Sequence, residues 1–192
     1  SVSIGKGLDV MGNYVDEEGN SLDPHGRVIN TRDYFVTNQE IVIDKQREDQ
    51  YTRMLSQRIV GEYHRINRVF ASHLVAFVAF EMWQRRHPKL DLFGLLRLPE
   101  EDLSLPYEEF RAVCKSVRKK IYELKDQGKV NHATHMKGKI DLVIKHGLEN
   151  VGIFHLKRPL LFNKEGDIIT QDLNILYYYH NRLTGYDLEK FI

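Results

Sequence analysis

The chain has 192 residues, enough for one domain with its own core or for a domain with an appendage. Its 42% hydrophobic and 29% charged residues are ordinary for a globular protein, and a net charge of +1 sets up no field of either sign. That balance argues against a nucleic acid or an acidic polymer as partner, and the single cysteine, Cys114, fits a reducing, cytosolic setting.

The opening residues, SVSIGKGLDV, alternate weakly, as a strand does. A chain that starts in mid-strand without a methionine is expected to be a piece of something longer. No basic, apolar and small-residue series is present there, so no secretory leader is expected.

Between Asp9 and Gly26 the pattern Asp-x-x-Gly occurs at 9–12, 16–19 and 23–26. Calcium loops need oxygens converging from alternate positions and a bidentate acid at the end, and this series has neither. Asp bonds its own backbone two residues on, and Gly accepts the left-handed conformation that follows, so the reading is three tight turns and no metal. DYFVTNQEIVID then reads as two extended arms around a turn at Asn38. Residues 1–43 form, on this reading, a turn-rich strap with short strands.

The rest, 44–192, reads as a helical domain. Asp44 caps a helix with Tyr51, Leu55, Ile59, Tyr63 and Ile66 at helical spacing. Arg68–Trp83 is apolar almost all round and too short to span a bilayer, which needs about 20 apolar residues, so it reads as a buried core helix. A break at Pro88 precedes a short helix ended by Pro99. The clearest amphipathic helix follows, with Pro106 in its first turn, an apolar face of Phe110, Val113, Cys114, Val117, Ile121 and Leu124, and Gly128 as its stop. A helix around 140–151, a hairpin turning at Asn163–Gly166, and a helix over DLNILYYYHNRLTGY stopped by Gly185 complete the chain. The fold class is therefore mainly α, a helical bundle with an N-terminal turn-rich β segment and a small β-hairpin near the C-terminus.

The chemistry-bearing residues give no catalytic signature. The sequence has no G-x-S-x-G, P-loop or G-x-G-x-x-G, and Cys114 lies on an apolar helix face, where a thiol is inert. His132 and His135 lack further ligands at zinc spacing. His73, beside Ser72 in the apolar helix, reads as a core histidine donating to a backbone carbonyl. Arg85–Arg86, Arg118–Lys119–Lys120 and Arg158 could meet phosphate or an anionic headgroup, but with acids interspersed they read as solvated faces. Three consecutive tyrosines, Tyr177–Tyr179, cannot share one side of a helix, so one is expected at an interface or a polar cavity. Asn181 and Arg182 beside them offer amide donors and a guanidinium fork. Ser72, His73, Tyr178, Tyr179, Asn181 and Arg182 are the candidates for packing or docking between domains.

Taken together, SIGKGLDVMGNYVDEEGNSLDPHGR, DKQREDQYTRMLSQRIV, SHLVAFVAFEMW, LPYEEFRAVCKSVRKKIYELKDQGKV and ILYYYHNRLTGY resemble the region C-terminal to the catalytic module of the glycerol-3-phosphate acyltransferase family, in its long, membrane-associated bacterial and mitochondrial type. The resemblance implies acyl transfer from acyl-CoA or acyl carrier protein to glycerol 3-phosphate by an H-x-x-x-x-D module, with no cofactor. That signature is missing here. His87–Asp91 has three intervening residues, and the position five beyond His73 is Val78. No catalytic residue is carried over.

The resemblance implies a helical portion that braces an upstream catalytic domain of the same polypeptide and meets the acyl donor only through it. An anionic membrane surface is a further partner it allows, and the cytoplasm, peripheral to the inner membrane, is the implied location. An independent helical adaptor docking a protein through the aromatic surface at Tyr177–Tyr179 is the alternative. A peripheral membrane module using the basic helix faces is a third reading.

Overall fold

The computed structural model describes residues 2–192, the side chain of Glu100 excepted. It forms two compact units, one reaching to Ile66 and one spanning Asn67–Ile192. The long helix that follows Asp44 thus groups with the N-terminal turns rather than with the later helices.

In the first unit each Asp-x-x-Gly is a turn closed by its own aspartate. Asp9 Oδ1 accepts from the amides of Met11 and Asn13, both at 2.8 Å, and its backbone carbonyl accepts from Gly12 at 3.1 Å. Asp16 and Asp23 repeat the arrangement, and the third residue after each aspartate, Gly12, Gly19 or Gly26, has φ of 82°, 87° or 79°. An L side chain is strained there, which is why glycine recurs. Antiparallel bridges Leu8–Tyr14 and Val15–Ser21, then β1 (Ser21–Leu22) paired with β2 (Val28–Ile29), stack these turns as successive hairpins. The carboxylates are therefore occupied by their own backbone, which makes the series a shape element.

A 3-10 turn over Thr31–Phe35 takes up much of the first expected arm, leaving a short hairpin of β3 (Val36–Thr37) and β4 (Glu40–Ile41) around left-handed Asn38 and Gln39. Helix α1 (Lys45–Ile66) starts at Asp44, whose carboxylate accepts from the Arg47 amide at 3.1 Å. Tyr14 donates to Glu62 at 2.6 Å and Glu62 pairs with Arg65, which ties the turn series to α1.

The second unit is organised around α2 (Ala71–Arg86), preceded by β5 (Arg68–Val69). The elements that follow are α3 (Leu92–Leu95), β6 (Ser104–Leu105), α4 (Tyr107–Asp126), β7 (Asn131–His132), α5 (Ile140–Asn150), β8 (Leu161–Phe162), β9 (Ile168–Ile169) and α6 (Leu173–His180). Helix α2 is apolar all round because α4, α5 and α6 all pack on it, leaving Leu74 through Phe80, Met82 and Trp83 buried. At its closest approach to α5, a Cβ on Gly147 would stand 2.7 Å from both the Ala71 carbonyl oxygen and a Val75 methyl.

Three boundaries differ from the sequence reading. Arg68 and Val69, read as the start of the core helix, form β5, and α2 begins only at Ala71. Pro106 is the N-cap of α4 rather than part of its first turn, and α6 ends at His180, tightening into a 3-10 turn over Asn181–Leu183 before Gly185. The Asn163–Gly166 hairpin repeats the N-terminal turn with asparagine in place of aspartate: Asn163 Oδ1 accepts from Asp167 N at 2.8 Å and Gly166 has φ of 89°.

Strand β9 pairs antiparallel with both β6 and β8, giving the order β6–β9–β8. The strand that precedes α4 is thus paired with the last strand of the hairpin that follows α5. Helix α6 packs on α2, and β5 pairs in parallel with β7. The domain is mainly α with β segments, as the sequence pattern implies. No helix among the described residues is long and apolar enough to cross a membrane.

Candidate functional site

The candidates Ser72, His73, Asn181 and Arg182 come from opposite ends of the second unit and meet where α6 packs on α2. His73 is buried in the first turn of α2, and its hydrogen bond runs opposite to the expected one: Nδ1 accepts from the Phe70 amide at 3.3 Å. Phe70, at the N-cap, has no acceptor of its own, so this is the reciprocal half of a capping box, with imidazole in place of the usual Glu or Gln. Burial, then the charge of Arg182, then His135, push the His73 pKa down to about 4. The ring is neutral and acts as an acceptor.

His135 serves the next amide, its Nε2 accepting from Ala71 at 3.1 Å. The side chain of Asn67 donates to the Arg182 carbonyl at 3.0 Å, which fixes the turn after α6. Ser72 is half-buried beside these residues, while Asn181 and Arg182 are exposed. His73, His135 and Asn67 here hold helix ends together, with Arg182 taking part through its backbone carbonyl.

Of the tyrosines, Tyr178 is 67% exposed, and Tyr179 is half-buried with its ring edge-on to Tyr178 and His155. Tyr177 lies over Phe80.

A histidine–carboxylate pair that the sequence reading missed lies deeper. His180 Nε2 stands 2.7 Å from Glu81 Oε1, its Nδ1 is 3.3 Å from Asn181 Oδ1, and its ring stacks on Phe77 and Tyr177. The one signal for it was Glu81, the lone acid in an apolar helix. With both nitrogens engaged and the ring between aromatic neighbours, His180 has no free nitrogen to take a substrate proton. Cys114 is fully buried, and burial pushes its thiol well above the ordinary range.

The basic residues also do more than face solvent. Arg85 donates to the carbonyls of Glu189, at 2.6 Å, and Ile192, pinning the C-terminus. Arg86 joins the Ser104 carbonyl to Glu109. Both stay exposed, as a solvated face requires, and each also reaches a backbone carbonyl distant along the chain.

A groove of about 570 Å³ opens in the second unit between α5 and the β8–β9 hairpin. Its walls are Leu142, Leu148, Leu160, Leu161 and Phe162, with Tyr107 at one end. There Asp141 accepts from the Tyr107 hydroxyl at 2.8 Å and from Arg111 at 2.6 Å. The Arg111 and Tyr107 bonds hold the Asp141 carboxyl down at about 2. Burial and the bond to Asp141 push the Tyr107 phenol up to about 12. At neutral pH the triad is a carboxylate, a guanidinium and a neutral phenol that donates, and its bonds join α4 to α5.

Of the groove's lining, Leu142 is 64% exposed and Phe162 is exposed as well, and the segment after α5 leaves Ile153, Phe154 and Leu156 exposed, Phe154 at 92%. Helix α5 forms one wall of the groove. Here its outer face carries Asp141 and Glu149 against Lys145, with Leu142 between them. Comparison with family models, with curated proteins and with solved structures found no match.

Proposed function

We propose that this chain is the C-terminal, non-catalytic helical portion of a glycerol-3-phosphate acyltransferase-like enzyme. It braces a catalytic module that lies upstream in the same polypeptide and meets acyl-CoA or acyl carrier protein only through that module. The observation that carries this reading is the apolar face around the groove between α5 and the β8–β9 hairpin, set in a unit whose histidine–carboxylate pair is sealed into packing. Apolar side chains left open at a groove mark docking sites. The charge on α5 fits a protein surface and opposes a phosphate backbone, which supports a domain partner over nucleic acid. On this reading the enzyme works in the cytoplasm at the periphery of the inner membrane.

The purified chain should show no acyl transfer to glycerol 3-phosphate from acyl-CoA; turnover above the uncatalysed rate would refute the non-catalytic assignment. In the full-length polypeptide, Leu142→Glu should lower activity and expose the junction to protease while leaving unfolding of the second unit unchanged. A second reading, an adaptor that docks a protein partner through Tyr178, is favoured by that ring's exposure. An open reading frame that starts near Ser1 would favour it over the first.

A further inference from the structure

A second recess, of about 340 Å³, lies between the last two turns of α4 and the loop after β7, on residues that the docking reading does not use. Arg118, Lys125, Lys137 and His132 line it, against one carboxylate, Asp126. The whole chain carries a net charge of only +1, so three permanent cations around one small recess are a local concentration of charge. Among the described residues none of Lys125, Lys137 and Asp126 has an ion-pair partner, unlike Lys120 nearby, which pairs with Glu123 at 3.1 Å.

Arg118 is already positioned. Its Nη1 donates to the Gly138 carbonyl at 2.8 Å and more distantly to Met136, and its guanidinium lies 5.7 Å from the centre of the Tyr122 ring. Tyr122 is held in turn by its hydroxyl, which donates to the Met136 carbonyl at 2.5 Å, and it packs on His132. Among the described residues only Nη1 of the guanidinium is engaged in a hydrogen bond. The Nε and Nη2 edge, the edge that grips an oxyanion in bidentate fashion, keeps its donors free. His132 Nδ1 lies 3.0 Å from the Ala133 carbonyl, so Nδ1 carries the proton and Nε2 is the nitrogen left for a ligand.

The C-terminal end of α4, whose dipole disfavours anions, is also here, but its last carbonyls are taken. Glu123, Leu124 and Lys125 accept from the amides of Gln127, Lys129 and Gly128. What remains facing the recess is three cations against the one carboxylate of Asp126, a net positive set.

We propose that this recess binds a phosphate group, gripped by Arg118 and flanked by Lys125 and Lys137. The volume holds a phosphoryl group with a small polar substituent. Free phosphate and a lipid headgroup share that chemistry, so the experiment separates them. The site is independent of the acyltransferase reading and stands or falls without it.

Titrating the chain with inorganic phosphate at low, constant ionic strength should give saturable amide shifts at Tyr122, His132 and Gly138. The double variant Lys125→Glu/Lys137→Glu should weaken binding by about tenfold or more, since two attractive charges become repulsive. Both lysines are exposed, and an unchanged Trp83 unfolding midpoint confirms that the variant folds. In parallel, phosphatidylcholine vesicles with and without phosphatidic acid are tested for cosedimentation. Binding to the acidic vesicles that the double variant loses and inorganic phosphate competes away assigns a headgroup. Saturable phosphate binding without cosedimentation assigns a free phosphate. Absence of saturable shifts at the recess, or binding that the charge reversal leaves unchanged, overturns the proposal.

Discussion

Acid should weaken the second unit through one histidine, and the size of the effect follows from its surroundings. His73 titrates near 6.5 in an unfolded chain and at about 4 in the folded one, because it is buried and faces Arg182 and His135. The unfolded state therefore binds more protons between those values, and stability falls as pH falls through that window. The contribution is complete above about pH 6.5, is reduced by about 2 kcal/mol near pH 5, and is lost by about 3 kcal/mol in the limit below pH 4. The structural cause is specific: a protonated Nδ1 can no longer accept from the Phe70 amide, so the start of α2 loses its cap as a charge enters the core.

His73→Gln keeps an acceptor at the third helical position without a proton to gain. Urea unfolding followed by fluorescence of Trp83, the chain's one tryptophan and buried in α2, reports on this unit. Between about pH 7 and about pH 5 the wild type should lose about 2 kcal/mol more than His73→Gln, with carboxylate effects cancelling in the difference. Equal losses in the two proteins would refute the reasoning, whatever their absolute stabilities.

The remaining predictions concern packing and turn chemistry. Gly147→Ala places a methyl against the Ala71 carbonyl and Val75 and should cost about 1–3 kcal/mol, read as a lower unfolding midpoint from Trp83; an unchanged midpoint would mean that α5 can move off α2 freely. Asp9→Ala removes the acceptor of the Met11 and Asn13 amides, so their hydrogen exchange should speed up by about tenfold while that of α4 stays unchanged.

The boundary between what pattern revealed and what it hid follows the range of the interactions. Local chemistry was legible: the Asp-x-x-Gly turns close within five residues, Asp44 caps the helix that follows it, and the apolar spacing of Phe110, Cys114, Val117, Ile121 and Leu124 is the buried face of α4. Each is decided by atoms that are neighbours along the chain. Periodicity carries no register between distant segments, and every misread residue belongs to that class. His73 turned from donor to acceptor because tertiary packing buries it at a helix start whose cap residue is a phenylalanine. Arg85 and Arg86, which look like a solvated pair, reach carbonyls about 100 and about 20 residues away.

The sequence by itself determined a mainly helical chain with a turn-built strap, an inert cysteine and no catalytic signature, because turns, caps and amphipathic faces are properties of short stretches. Only the tertiary structure decided that β6 joins the terminal hairpin in one three-stranded sheet, that Glu81 meets His180, and that an apolar groove and a cationic recess are lined by different residues of one unit. Those features depend on which faces are covered and which stay open, and burial is settled only when the whole chain has packed.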